Sequence, residues 1–255
     1  MITLNQLTAS TIRLSWTLEA VIDTALCVGA GGSTGSLSDK PIIRNAQGQL
    51  LIPGSQLKGR LRHECEKLAR SLGWWIPDSP QAGKLYLTDP IPGEDETPEA
   101  IAIRQTLEPF RTQYSVFGYP GYHCWVSQIF GDPILPSRLI VDDLICPYSK
   151  DELPEIIRPG VSINRARRTA EDQKLFYLET SPAGAGLPFV GNVHLLRDCP
   201  SYAEPLLLAA ISHIHAFGGS KSGGLGWLHW RQRPSLNTQE QAQIDWSHLL
   251  SPTQA

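Results

Sequence analysis

The chain changes its period abruptly near Pro53, and few folds accommodate that change. An extended apolar run from Ile42 to Ile52, interrupted by a turn at Asn45 to Gly48, stops at Pro53-Gly54-Ser55. From there Leu57, Leu61, Cys65, Leu68 and Leu72 recur at helical spacing, and Gly73 stands where a C-cap would end the helix. Strand, tight turn and helix must therefore meet at one corner of the molecule. A helix start presents unpaired N–H groups and the positive end of the macrodipole, so an anion can be held beside Ser55 without a dedicated side chain. Lys58, Arg60 and Arg62 add mobile positive charge just beyond. The same stretch also reads as a strand, a turn and an amphipathic surface helix with solvated cations.

Net charge offers no shortcut between those readings. With 22 basic and 25 acidic residues in 255, the formal charge of −3 carries no global sign of nucleic-acid binding, so such a function must rest on local patches. The acids are segregated. Five fall between Asp89 and Glu99 and five between Asp142 and Glu155, whereas none occurs between Glu204 and Glu240, an interval holding Lys221, Arg231, Arg233 and three histidines. A hydrophobic content of 41% suffices for a normal core. The five cysteines, 27, 65, 124, 146 and 199, include no CxxC pair, which points to reduced thiols rather than a disulfide framework or a zinc ribbon. With no cationic-then-apolar leader and no span-length apolar run, the expectation is a soluble cytoplasmic protein without membrane contact.

Alternation at Ile12, Leu14, Trp16 and Leu18 predicts a half-buried strand over 11–25, followed by a glycine-rich loop at 29–35. Residues 74–136, rich in Pro and Gly and acidic in the middle, read as an insertion with some structure of its own. Arg138 to Cys146 reads as a strand. A cationic stretch from Val161 to Lys174 contains Arg165, Arg167 and Arg168, and its neighbours 175–179 and 187–195 read as strands flanking a Pro-Ala-Gly-Ala-Gly turn, a basic arm on a β-hairpin or a solvated loop. Ser201 and Glu204 form a capping box for a second helix that runs to Gly218-Gly219. An aromatic strand, Trp227 to Arg231, follows, and the residues after Pro234 form a polar tail. Strands and helices in this order, without βαβ regularity, predict an α+β fold of the ferredoxin-like kind: one domain over 1–234, with insertions at about 74–136 and 158–186.

The link between the second helix and the last strand, GGSKSGGLG at 218–226, places Lys221 among Gly218, Gly219, Gly223 and Gly224. Glycine lets the backbone approach a phosphate and turn its N–H groups inward as a nest. The context, helix before and strand after, fits neither the dinucleotide fingerprint nor the Walker loop. A flexible hairpin connection is the alternative.

Taken together and in this order, IPGSQLKGRLR, IFGDP followed by RLIVDD, VSINRARRTAEDQKLFYLE and GGSKSGGLG resemble the RAMP superfamily of CRISPR-associated RNA-binding proteins, and among them the repeated backbone subunit of type III effector complexes. The resemblance runs from about residue 20 to 232. It implies an RRM-like palm with an inserted thumb hairpin, stacking of copies along a guide RNA, and pairing of target RNA to that guide. It further implies that Asp39, in SDKPIIR, is the residue required for cleavage of target RNA with a divalent metal such as magnesium, as base or as metal ligand. Ser55, Lys58, Arg60, Arg62 and the loop around Lys221 would contact guide phosphates, and Arg165, Arg167 and Arg168 would lie on the thumb that wedges the guide–target duplex. Relatives often carry a cysteine pair before IFG as part of a zinc site. Here HCWVSQIFG places Ser127 where the second cysteine would be, so no structural zinc is expected from His63, Cys65, His123 and Cys124. Two other roles stay open at this stage: a guide-binding subunit with an inert Asp39, and a guide-processing endoribonuclease of the same superfamily.

Overall fold

The computed structural model describes residues 12–29, 41–77, 86–88, 97–114 and 121–234. Asp39, most of the acidic stretch 89–99 and the tail beyond Pro234 lie outside them. Strand β1 (Ile12–Ile22) turns Trp16, Leu18, Ala20 and Ile22 inward, as its alternation predicts, while Ile12 is exposed at the strand's beginning. It lies between β9 (Leu187–Leu196) and β10 (Leu228–Gln232), with Trp16 opposite Val193 and Ala20 opposite both Phe189 and Trp230. Together with β2 (Leu51–Ile52), β5 (Leu139–Val141) and β6 (Leu144–Ile145) these strands form a six-stranded antiparallel sheet in the order β10-β1-β9-β6-β2, β5 also pairing with β9.

Helices α1 (Gly54–Ser71) and α4 (Ala203–Ser212) pack against each other, and their apolar faces enter one core cluster with the inward residues of the sheet. That cluster draws on residues from Trp16 to Leu228. Leu57, Leu61, Cys65 and Ala69 of α1 are buried, with Leu68 and Leu72 packed at the margin. Gly73, at φ +76°, ends the helix: its N–H bonds the Arg70 carbonyl and that of Trp74 bonds Ala69, the paired bonds of a Schellman cap. An antiparallel sheet with helices on one face is the α+β architecture expected. The 74–136 region contributes β3 (Tyr86–Thr88), α2 (Pro98–Tyr114), β4 (Gly121–His123) paired to β3, and α3 (Ser127–Phe130). Among the described residues no helix is long and apolar enough to cross a membrane.

Three local expectations are corrected. The stretch 138–146 is two short strands, because the chain bends at Asp142-Asp143 so that Asp143 Oδ1 accepts the Gly54 N–H at 2.7 Å. The strand at 175–179 pairs with residues before it: β7 (Ile156–Asn164) and β8 (Thr169–Thr180) form their own hairpin, with Val161 opposite Leu175. The second helix is shorter than the apolar run suggests and has no capping box. A turn places the Ala203 N–H on the Pro200 carbonyl, Tyr202 becomes the N-cap without a side-chain bond, and His213 already caps the C-terminus. Beyond it the chain is extended, and Ala216 bridges Trp227.

Candidate nucleic-acid interface

Three sequence motifs far apart in the chain converge on the segment that leaves β1. The Ala25 carbonyl accepts the Gly226 N–H at 2.8 Å and the Cys27 carbonyl that of Gly219 at 2.8 Å, so the glycine-rich loop is laced to residues 25–27. On the other side Leu26 and Ser181 exchange two bonds: the Leu26 N–H donates to Ser181 Oγ at 2.9 Å and the Ser181 N–H to the Leu26 carbonyl at 3.0 Å. Ser181 immediately follows β8, and Leu178 of β8 packs on Ala25, Cys27 and Leu225. The segment continues to Gly29, which bridges Ile42, while the Ile43 N–H reaches the Val28 carbonyl at 2.9 Å. Both ends of the 30–40 stretch that carries Asp39 are thus anchored beside the glycine loop and the hairpin base.

Two glycines of the loop are set by close approach. A Cβ on Gly218 (φ +83°) would lie 2.5 Å from the Cys27 carbonyl oxygen, and one on Gly226 (φ +70°) 1.8 Å from that of Phe217. The N–H groups of Gly219, Gly223, Gly224, Leu225 and Gly226 all donate to carbonyls of this chain, so these five do not form a nest for an outside anion. What the loop turns outward is Ser220, in the left-handed region at φ 54°, and a single 3-10 turn, Lys221–Gly223. The exposed Lys221 ammonium folds back to the Gly218 carbonyl at 3.2 Å.

At the far end of the β7–β8 hairpin, Asn164 builds the turn. Its Oδ1 accepts the N–H of Ala166 at 3.0 Å and of Arg167 at 3.1 Å, and its carbonyl accepts that of Arg168 at 2.7 Å. Arg165, Arg167 and Arg168 are exposed and have no ion-pair partner among the described residues. Lys174 pairs with Glu171.

The cations of α1 are placed differently, and the expectation of mobile charge there gives way to a set of internal contacts. Lys58 Nζ donates to Ser137 Oγ at 2.7 Å, and burial, with Arg62 nearby, lowers its pKa. Arg60 meets the buried Glu64 at 2.7 Å, which Lys67 also approaches at 3.1 Å. Arg62 bonds Glu66 at 3.0 Å and the Gly131 carbonyl at 2.9 Å. Ser55 is exposed on the first turn, but the helix start already holds the Asp143 carboxylate.

Nearby, His123 Nδ1 and Asp132 Oδ2 lie 2.6 Å apart with both side chains buried, and Cys124 Sγ donates to Ser127 Oγ at 3.1 Å. His63 and Cys124 line a cavity of about 710 Å³ between α1 and the 130–137 turn; Cys65 is not among its walls. Burial pushes the Cys65 and Cys124 thiols up. Among the described residues no three His, Cys, Asp or Glu side chains are grouped to hold a metal ion. His213 caps α4, His215 follows it, and His194 bonds Ser15 and Asp142 on the uncovered sheet face.

Sequence reasoning did not single out Asp132, Asp143, Ser181 or Asn164. Asn164 left a local signal, an Asx residue immediately before a basic turn. A family model described as RAMP superfamily matches residues 19–229. None of the curated proteins matches the chain.

Proposed function

The chain belongs to the RAMP superfamily of CRISPR-associated RNA-binding proteins, and from that premise we propose that it is a guide-RNA-binding backbone subunit of a type III effector complex that also cleaves paired target RNA through Asp39. One observation carries the reading. The glycine-rich loop and the base of the exposed basic hairpin both dock on residues 25–28, the lead-in to the Asp39 stretch. Guide contact and the cleaving group are therefore assigned to one neighbourhood, and the hairpin rooted there carries the duplex contact out to its far end.

Lys221 and the outward backbone of the loop meet guide phosphates; Arg165, Arg167 and Arg168 meet the duplex, their exposed guanidiniums suited to phosphate oxygens. Lys58, Arg60 and Arg62 hold the helix and the 131–139 segment in place and add a positive field at the guide-facing side. The 2′-OH of the target ribose attacks its own 3′-phosphate, the bond to the 5′-oxygen of the next nucleotide breaks, that oxygen takes a proton from water, and a cyclic phosphate and a free 5′-hydroxyl result. The Asp39 carboxylate takes the 2′-OH proton or holds a divalent cation, for which an oxygen donor is the appropriate type. Magnesium, when bound, would neutralise charge developing on the phosphate. Positioning supplies much of the rate, since a carboxylate is a weak base.

The test is Asp39→Ala in the assembled, guide-loaded complex with labelled target RNA and magnesium. Cleavage at this subunit's position should disappear while target binding persists. Cleavage unchanged by the substitution would remove the catalytic role and leave the binding role.

A further inference from the structure

Edge strand β10 exposes a row of side chains outside the RNA contacts described above. Alternation puts Leu228 and Trp230 inward, Leu228 buried and Trp230 bonded through Nε1 to the Ile214 carbonyl at 3.1 Å. Trp227, His229 and Arg231 therefore share the outer side. Trp227 is 50% exposed, yet its backbone is pinned at both polar groups: its N–H donates to Thr24 Oγ1 at 2.9 Å and its carbonyl accepts the Asp23 N–H at 2.8 Å. A large indole thus stands half-exposed beside the Lys221 loop on a backbone held at both polar groups. His229 Nδ1 lies 2.9 and 3.0 Å from the two Asp23 oxygens, leaving Nε2 with no partner among the described residues. Arg231 is tied through one nitrogen to Glu19.

We propose that Trp227, with the Asp23–His229 pair, is a stacking subsite for one nucleobase of single-stranded RNA crossing the edge strand. Any base presents a flat face to the indole, and a tryptophan side chain has only two torsions to order on stacking. Alternate side chains on a strand are ~6.8 Å apart, so a nucleotide stacked on Trp227 places its sugar or phosphate against His229 Nε2. Asp23 and Glu19 offset the neighbouring cations, so the subsite works by stacking more than by phosphate attraction. Its contribution is then nearly independent of salt, unlike that of the hairpin arginines. The proposal rests on the RNA-binding reading above and adds contacts that reading does not contain.

The experiment is fluorescence anisotropy of the full chain with a labelled oligouridylate over a salt series, for the parent, W227A and W227F, with photocrosslinking to 5-iodouridine RNA. W227A should bind about tenfold more weakly with an unchanged salt slope. W227F should keep most of the affinity, and the crosslink should fall at Trp227 in the tryptic peptide Ser222–Arg231. Parent-like binding by W227A, or crosslinks elsewhere only, would overturn the subsite while leaving RNA binding intact. A parent chain that binds no RNA would remove both. W227F and the crosslink retain their force if W227A proves unstable.

Discussion

One carboxylate, Asp132, organises the turn after IFG. Oδ1 accepts the N–H groups of Ile134 and Leu135 at 2.9 and 2.7 Å, while Oδ2 meets His123. Burial pushes the Asp132 pKa up, but His123 and the two amides more than offset it, leaving the carboxyl below its usual range. A depressed folded pKa contributes stability that is fully present above the unfolded value of about 3.9 and is lost as pH falls through the folded pKa. Asp132→Asn should therefore lower unfolding stability by roughly 1–3 kcal/mol at neutral pH, with the gap to the parent narrowing as pH falls below about 4 in urea titrations. The motif IFGDP was visible in the sequence; its clasp was not, because His123 lies nine residues away and nothing local says which way its ring turns. Asp143 is similar. A second aspartate in RLIVDD looks like a solvated strand end, yet it caps a helix that starts 89 residues earlier.

At the scale of elements, the β7–β8 hairpin shows how separable binding and stability can be. Ile157, Val161, Ile163, Leu175 and Tyr177 lie along one face and are all exposed, so the arm buries little on its own chain. Its anchor is the base, where Leu178 and Ser181 join the body and Thr180 Oγ1 closes the hairpin on the Ile156 carbonyl. Replacing Arg165, Arg167 and Arg168 together by Ala should leave the thermal midpoint nearly unchanged and weaken RNA binding, reducing the slope of log affinity against log salt by about 2. That slope separates the arm from the Trp227 subsite. The basic run itself was legible as local composition. The identity of its partner strand was not: 156–161 lacks clean alternation, whereas 187–195 has it, and pattern alone favours the wrong neighbour.

For the whole molecule, the glycine-rich loop is a joint before it is a surface. Gly226→Ala places a methyl against the Phe217 carbonyl at a positive φ and should cost at least about 2 kcal/mol in equilibrium unfolding. Gly224→Ala, also at positive φ but with no atom within 4 Å, should cost about 1 kcal/mol. Equal losses would mean that Gly226 is not packed against the Phe217 carbonyl.

Period, punctuation and order came from the chain alone. The inward face of β1, the stripe of α1, the Asn45–Gly48 turn, the Gly73 cap and the collinear motifs that mark the family all depend on residues within a few positions of one another, where stereochemistry and hydrophobic spacing decide. Tertiary structure decided the partners. It spent the α1 cations on Ser137, Glu64 and Gly131, put an aspartate on the helix start, joined β8 to β7, and brought the hairpin base and the C-terminal loop to the strand leading to Asp39. Periodicity states which face is buried but not against what. A hydrogen bond between residues 26 and 181 depends on how the intervening chain closes, and no local pattern encodes that.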